Sequence, residues 1–223
     1  MTLYIQHVWP VQDLQAVCAT QNAVANVPMI LNGTLTNPFV PNQISFISNG
    51  FIRGVSITSA NNLSANTFTI LGIQNGVAVT ENITGPNATT VYGLLSYDVI
   101  TSVTVNNNSN GVQIGTGNVG FLPLVAVDTL MDTGMLNYAY QVILGPNPNI
   151  TYDILYSLVK IESIGRSFND LVTNTSVLMP YSGNQIASIL QQNYLVAKYF
   201  LLNITASTTP ATDTLTFIYI QIQ

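Results

Sequence analysis

Few residues of this sequence could do chemistry, and the most suggestive string is "GTGNVG" at residues 115–120. It has the G-x-G-x-x-G form of a dinucleotide-binding turn, which needs a strand before it, a helix opening on the last glycine and an acidic residue about 20 positions later. The string is followed instead by "FLPLVAVDTLMDTG", an apolar-alternating run with Pro123 close behind Gly120. No strand–helix–strand unit can be built on that run. We therefore predict that these glycines lie in a strand end and an interdomain joint, without a cofactor.

Nucleophilic catalysis is the second chemistry to consider. The single histidine, His7, and the single cysteine, Cys18, could in principle form a base and nucleophile pair. His7 stands near Trp9, and we interpret it as a surface or subunit-contact residue, with Cys18 as a small apolar residue. One thiol and one imidazole supply neither an internal disulfide nor a zinc site.

Paired carboxylates are the third possibility. Asp128 and Asp132 in "VDTLMDTG" are the nearest such pair, but their spacing does not match a calcium loop, and we expect them to form turns or caps. The sequence thus predicts no catalytic, cofactor-binding or metal-binding residues, and a protein that is not an enzyme.

The charge content argues against two classes of partner. Only 6% of the residues are charged, and the formal net charge is −5. Four basic residues are too few to neutralise a row of phosphates or to hold an anionic membrane. No apolar run approaches the roughly 18 residues of a membrane helix. We therefore predict binding neither to nucleic acid nor to a membrane.

The hydropathy pattern indicates an all-β protein. Short alternating runs are separated by turns rich in Gly, Asn and Pro, at a spacing that leaves no room for crossover helices. We predict two tandem antiparallel β-sandwich or jelly-roll-like domains with little helix: an N-terminal arm at 1–27, a first domain at 28–119 and a second at 120–223. Helical spacing occurs only in "VQDLQAVCA" and "GNQIASILQQ", and "TLTFIYIQI" reads as a central strand. The other candidate strands include "PMILNGTL", "IRGVSIT", "NTFTILGI", "GVAVTENIT" and "VITSVTVN".

Tyrosines alternate along two of the later candidate strands. They are Tyr138, Tyr140, Tyr152 and Tyr156. This spacing could line a sugar-binding face, although it is more typical of a β core or a packed interface. Binding of a glycan therefore stays open.

One long stretch resembles a sequence pattern that is common in structural proteins of tailed bacteriophages. It runs from "IRGVSITSANNLSANTFTI" through "TENITGPNA" and "SVTV" to "GTG". The resemblance covers residues 28–120 well and is patchy from 121 onward. It implies a virion structural protein of the capsid decoration or head-associated type, with two β domains, and it carries over no functional residues. Such a protein is made in the host cytoplasm and released by lysis, in keeping with an opening "MTLYIQHVWP" that shows no secretory signal.

The expected function is accordingly adhesion between proteins. We expect a non-enzymatic decoration or cement protein, located in the virion, that stabilises the head shell by contacts with the major capsid protein or other virion proteins. We expect a homo-oligomer and favour a trimer. The alternative is a tail or fibre component that recognises a host receptor, possibly a glycan, through the tyrosine-bearing strands or Asn-rich loops such as "NNNSNG".

Overall fold

The computed structural model describes residues 3–74, 76–126, 137–144, 150–157, 179–181, 189–194, 199–207 and 215–222. These residues form β-strands, loops and one 3-10 turn, Ile47–Asn49, and contain no α-helix. The prediction of an all-β fold with little helix is confirmed. The strands are β1 Leu3–Trp9, β2 Cys18–Ala23, β3 Ile44–Ser45, β4 Ile52–Thr58, β5 Thr67–Gln74, β6 Val77–Thr84, β7 Thr90–Tyr92, β8 Val99–Val105, β9 Ser109–Ala126, β10 Asn137–Leu144, β11 Ile150–Ser157, β12 Met179–Tyr181, β13 Ile189–Tyr194, β14 Tyr199–Ser207 and β15 Leu215–Ile222.

The chain divides into two compact units. We call Gln12–Gly120 the central unit, and Met1–Val11 together with Phe121–Gln223 the terminal unit. The division between them falls inside β9, directly after Gly120. Of the residues predicted as an N-terminal arm, 3–9 form β1 and 18–23 form β2.

The central unit contains a four-stranded antiparallel sheet in the order β3-β8-β5-β6. Its remaining strands are neighbours in the order β2, β9, β4 and β7. Both groups of strands contribute side chains to the core, because alternate residues of a strand point to the same face. Among the buried residues are Phe68 and Ile70 of β5, Val103 of β8, Val55 of β4 and Ile114 of β9.

One predicted strand of this unit is wrong. "PMILNGTL" is irregular, and its backbone groups bond to different segments one at a time: Met29 N–H donates to Val103 O at 2.8 Å, and Leu35 N–H donates to Ala16 O at 3.0 Å. The alternating pattern reports that Met29 and Leu31 are buried, but no single partner strand lies beside the segment. By contrast, β4 has the bounds predicted for "IRGVSIT".

The helix considered at residues 11–19 is also wrong. The chain makes only a turn at 14–15 and enters β2 at Cys18. Long-range bonds fix the segment, since the Asp13 carbonyl accepts Thr116 N–H at 2.8 Å. The second helical candidate, 183–192, lies partly outside the described residues, and from Ile189 onward it belongs to β13.

The terminal unit contains an antiparallel four-stranded sheet in the order β1-β15-β10-β13. β15 lies between β1 and β10, which confirms its prediction as a central strand; Leu215 is opposite Trp9 on one side and Leu144 on the other. In the same unit β11 pairs with β12 and with β14, with a register shift after Thr151.

Candidate interaction surface

The central unit has almost no charge on its surface. Its charged residues are Asp13, Arg53, Glu81 and Asp98. Arg53 and Asp98 are buried, and Asp13 and Glu81 are half-buried. Each of the four makes hydrogen bonds within the unit, and the rest of the surface consists of amide, hydroxyl and apolar groups. An ordinary domain has about a quarter of its residues charged.

Asp13 fixes the segment before β2 at the point where it crosses β9. Its carboxylate accepts hydrogen bonds from Gln15 N–H at 2.8 Å and from the Thr34 hydroxyl at 2.5 Å. Its backbone N–H donates to Thr116 Oγ1 at 2.9 Å. The two backbones lie so close that a Cβ on Gly115 would overlap the Asp13 carbonyl oxygen. Glycine is therefore required at this position to make room for another backbone.

A second glycine of "GTGNVG", Gly117, accepts a hydrogen bond from Arg53. The Arg53 side chain is fully buried, and Nε donates to Gly117 O at 2.7 Å. Burial lowers the pKa of the guanidinium to about 9. A Cβ on Gly117 would lie 2.7 Å from the Gly54 carbonyl carbon, so strands β9 and β4 also approach closely here.

The string "GTGNVG" lies inside β9, which continues to Ala126. The strand passes through Gly120 without a helix opening there, and the division between the two units follows that glycine. The prediction of a strand end is wrong, because the glycines lie within the strand. Their small size serves strand packing at Gly115 and Gly117.

Glu81 ties β6 to the loop before β8. One carboxylate oxygen accepts the N–H groups of Leu94 at 2.5 Å and Leu95 at 3.2 Å, and the other accepts the Tyr97 hydroxyl at 2.7 Å. Burial, the hydrogen bond to Glu81 and the charge of Glu81 together raise the pKa of Tyr97 far above its usual range. This bonding fixes the backbone of Leu94, whose side chain is 87% exposed.

Asp98 ties further loops to the same place. Its Oδ2 accepts Gly76 N–H at 3.2 Å, and its backbone carbonyl accepts Phe46 N–H at 2.9 Å and Ile47 N–H at 3.2 Å. We call residues 46–50, 76–77 and 93–98 the carboxylate end of the central unit. These carboxylates hold the loops, and three of the exposed side chains there are apolar: Ile47, Val77 and Leu94.

At the other end of the same strands, the side chains of neutral asparagines form the hydrogen bonds that connect the loops. Asn106 Oδ1 accepts Thr67 N–H at 2.8 Å, Asn66 Nδ2 donates to Ser109 Oγ at 2.7 Å, and Asn61 Nδ2 donates to Asn110 O at 3.0 Å. We call the loops 59–66, 85–89 and 105–111 the amide end. Its connections require no charged group.

An apolar side chain projects from the loop 37–43, which we call the Phe39 loop. Phe39 is 91% exposed and stands between Pro38 and Pro41. The base of the loop is closed by two hydrogen bonds from Asn37 to Gln43, both at 2.8 Å, and Asn37 Oδ1 accepts Phe39 N–H at 3.0 Å. The loop therefore presents the phenyl ring on a backbone that is already ordered.

The β6 strand is an open edge of its sheet. Among the described strands it pairs only with β5, and it is eight residues long. Edge strands of this length are usually guarded by charged residues, proline or a bulge. The one charged residue of β6, Glu81, uses both carboxylate oxygens within the unit.

The residues singled out in the sequence are spread over several elements. His7 lies on β1 opposite Phe217, while Cys18 begins β2 and is fully buried, which raises the pKa of its thiol to about 12. Tyr138 and Tyr140 lie on β10, and Tyr152 and Tyr156 lie on β11. Asp128 and Asp132 lie outside the described residues.

Sequence reasoning missed the Phe39 loop and the bonds of Glu81. The first had a signal, since "NPFVPN" places two apolar residues between prolines and asparagines, a composition typical of an exposed turn. The second had none, because the partners of Glu81 are 13 to 16 residues away and meet only through the sheet register.

No protein-family model matches the sequence, and no curated protein matches it either. In the described part of the chain, no three His, Cys, Asp or Glu side chains are grouped as metal ligands would be. The described residues also contain no helix long and apolar enough to span a membrane.

Proposed function

We propose that this protein is a non-enzymatic virion structural protein that decorates or cements a capsid shell, through contacts with the major capsid protein or other virion proteins. The observation that carries the proposal is the uncharged surface of the central unit, from which Phe39 projects. The resemblance of residues 28–120 to phage structural proteins supplies the setting.

An uncharged surface suits permanent contact between proteins. Burying a charged group costs several kcal/mol unless it is well paired, whereas amide and hydroxyl groups need only hydrogen-bond partners. The central unit keeps its four charged groups bonded internally, so a partner can cover its surface without removing free charges from water.

The Phe39 loop would act as an anchor for such a partner. Full burial of a phenylalanine side chain contributes roughly 1.5–3 kcal/mol, and a loop ordered in advance loses little entropy on binding. Symmetric repetition on a shell would multiply contacts of this strength.

The proposal also covers the type of domain and the oligomeric state. We propose that each of the two units is a β-sandwich, jelly-roll-like domain and that the protein is a homo-oligomer, with a trimer favoured. It would be made in the host cytoplasm and reside in the virion.

The proposal can be tested by mixing the purified protein with tailed-phage capsids assembled without it, followed by sedimentation. We expect the protein to sediment with the capsids and Phe39→Ala to weaken binding by about 10-fold or more, from the lost burial. Ile30→Ala is the matched control, because Ile30 is also an exposed apolar residue but lies outside the Phe39 loop. A wild-type protein that stays in the supernatant as a monomer would contradict the proposal.

The second candidate function is recognition of a host receptor, possibly a glycan, by a tail or fibre component. The exposed asparagines of the amide end favour it, since amide groups bind sugar hydroxyls well. Binding on a glycan array that is lost in Asn87→Ala, an exposed position of this end, would support this function. An array without binding would leave adhesion between proteins as the better account.

A further inference from the structure

The hydrogen-bonding direction of each β6 residue follows from its neighbour β5. Ile73 O of β5 accepts Asp98 N–H at 2.8 Å, and Thr67 O accepts Asn106 N–H at 3.1 Å. The odd-numbered residues of β5 therefore bond towards β8, and the even-numbered ones towards β6. In the β5–β6 register these even-numbered residues lie opposite Val77, Val79, Glu81 and Ile83.

The other residues of β6 face the open edge. In an antiparallel pair, residues outside the hydrogen-bonded positions direct their N–H and C=O groups away from the partner strand. They are all exposed and uncharged: Ala78, Thr80, Asn82 and Thr84. The edge thus offers four donors and four acceptors, without a charge to repel another strand.

We propose that β6 pairs antiparallel with β6 of a second copy of this chain, about a two-fold axis at Thr80, so that two four-stranded sheets become one. The proposal rests on the proposed function only in that both require self-association. A two-fold contact of this kind would join one trimer to the next.

The chemistry of the edge favours a second copy as the occupant. Two chains of net charge −5 meet at least cost where neither carries a free charge. If the two sheets are to become one sheet with its buried side chains on the same face, the even-numbered residues of one β6 must lie opposite the even-numbered residues of the other. A two-fold axis at Thr80 places Thr80 opposite Thr80 of the second copy and Ala78 opposite its Asn82. Moving the axis to Glu81 would place the two Glu81 side chains opposite each other. Paired threonines are favourable across strands and like charges are unfavourable.

Cysteine crosslinking tests both the contact and its register. Hydrogen-bonded residues on antiparallel strands have Cα atoms about 5.5 Å apart, within the range of a disulfide. Mild oxidation of Thr80→Cys should therefore give mostly covalent dimers. Ala78→Cys and Asn82→Cys should each stay uncrosslinked alone and crosslink when mixed. The native thiol adds little background, because Cys18 is fully buried.

A charge at the same position provides a second readout. Thr80→Lys places two ammonium groups together at the axis and should raise the dissociation constant at least 10-fold. Thr101→Lys adds the same charge to an exposed position on β8 of the same sheet and should leave it unchanged. Oligomers that form no Thr80→Cys crosslink, or that crosslink equally at all three positions, would overturn the β6 contact and leave the proposed function standing. If the crosslinks form as expected but the protein does not bind capsids, the proposed function is overturned and the β6 contact stands.

Discussion

The two ends of the central unit hold their loops by different chemistry. At the carboxylate end, Glu81 and Asp98 accept hydrogen bonds from the Leu94, Leu95 and Gly76 backbones. At the amide end, the Asn61, Asn66 and Asn106 side chains do the same work without charge. Hydrogen bonds to a charged group contribute about 1.5–3 kcal/mol and neutral ones about 0.5–1.5 kcal/mol.

The difference shows where this unit places its charges. Charged residues occur only where backbone or hydroxyl groups form hydrogen bonds with them. Neutral amides hold the loops of the other end. Both ends consequently present an exterior with almost no free charge, although only one is built without charged residues.

The largest effect is expected at Glu81. Glu81→Ala removes the acceptor for two backbone N–H groups and for the buried Tyr97 hydroxyl, and should lower the free energy of unfolding by about 2–4 kcal/mol. Glu81→Gln keeps one carbonyl oxygen and should lose about half of that. Urea denaturation measures both, and a loss below about 0.5 kcal/mol for Glu81→Ala would remove the contrast between the ends.

A smaller effect is expected at the amide end. Asn66→Ala removes the donor to Ser109 Oγ and the acceptor for Asn107 Nδ2, and should lower the free energy of unfolding by about 1–3 kcal/mol, because Ser109 is buried. Urea denaturation provides this comparison too. A loss larger than that of Glu81→Ala would reverse the order of the two ends.

The two ends should also differ in their response to alkali. The pKa of Tyr97 is raised in the folded protein, so its stabilising contribution is present below the ordinary tyrosine pKa of about 10 and is lost as the pH rises above it. The stability advantage of wild type over Tyr97→Phe should shrink by up to about 1.4 kcal/mol per pH unit above 10. The difference between wild type and Asn66→Ala should stay constant over pH 8 to 11. Urea titrations at several pH values test this, and equal pH dependence of both differences would be a contradiction.

The smallest effect is expected at Asn62, whose Oδ1 accepts Ser64 N–H at 3.1 Å in an exposed turn. Asn62→Ala should change the free energy of unfolding by less than about 0.5 kcal/mol, since water can replace this bond. Thermal denaturation against wild type checks it. A loss comparable to that of Asn66→Ala would mean that exposure does not separate the two asparagines.

Local patterns predicted the strands whose neighbours are themselves regular. β4 has its predicted bounds because "IRGVSIT" is followed by turn residues and lies between neighbouring strands. "PMILNGTL" has an equally good pattern but bonds to several separate segments. The helix considered at 11–19 fails because the backbone at Asp13 is bound to Thr116, about 100 residues later. Such distant bonds leave no local signal.

The candidate surface was predictable in composition but not in position. The scarcity of charge is visible in the sequence, and the apolar-alternating run with Pro123 argues against a helix after Gly120. That Gly115 makes room for the backbone of Asp13, and that Glu81 bonds to Leu94 and Tyr97, depends on registers that only the folded sheets define.

Light scattering across a range of salt concentrations tests the central claim most directly. If the protein associates through uncharged β surfaces, its mass should exceed 24.0 kDa, and its association constant should change less than about 2-fold between 50 mM and 1 M NaCl, because screening acts only on charges. A 24.0 kDa monomer throughout, or an association constant that falls by about 10-fold or more with salt, would contradict it.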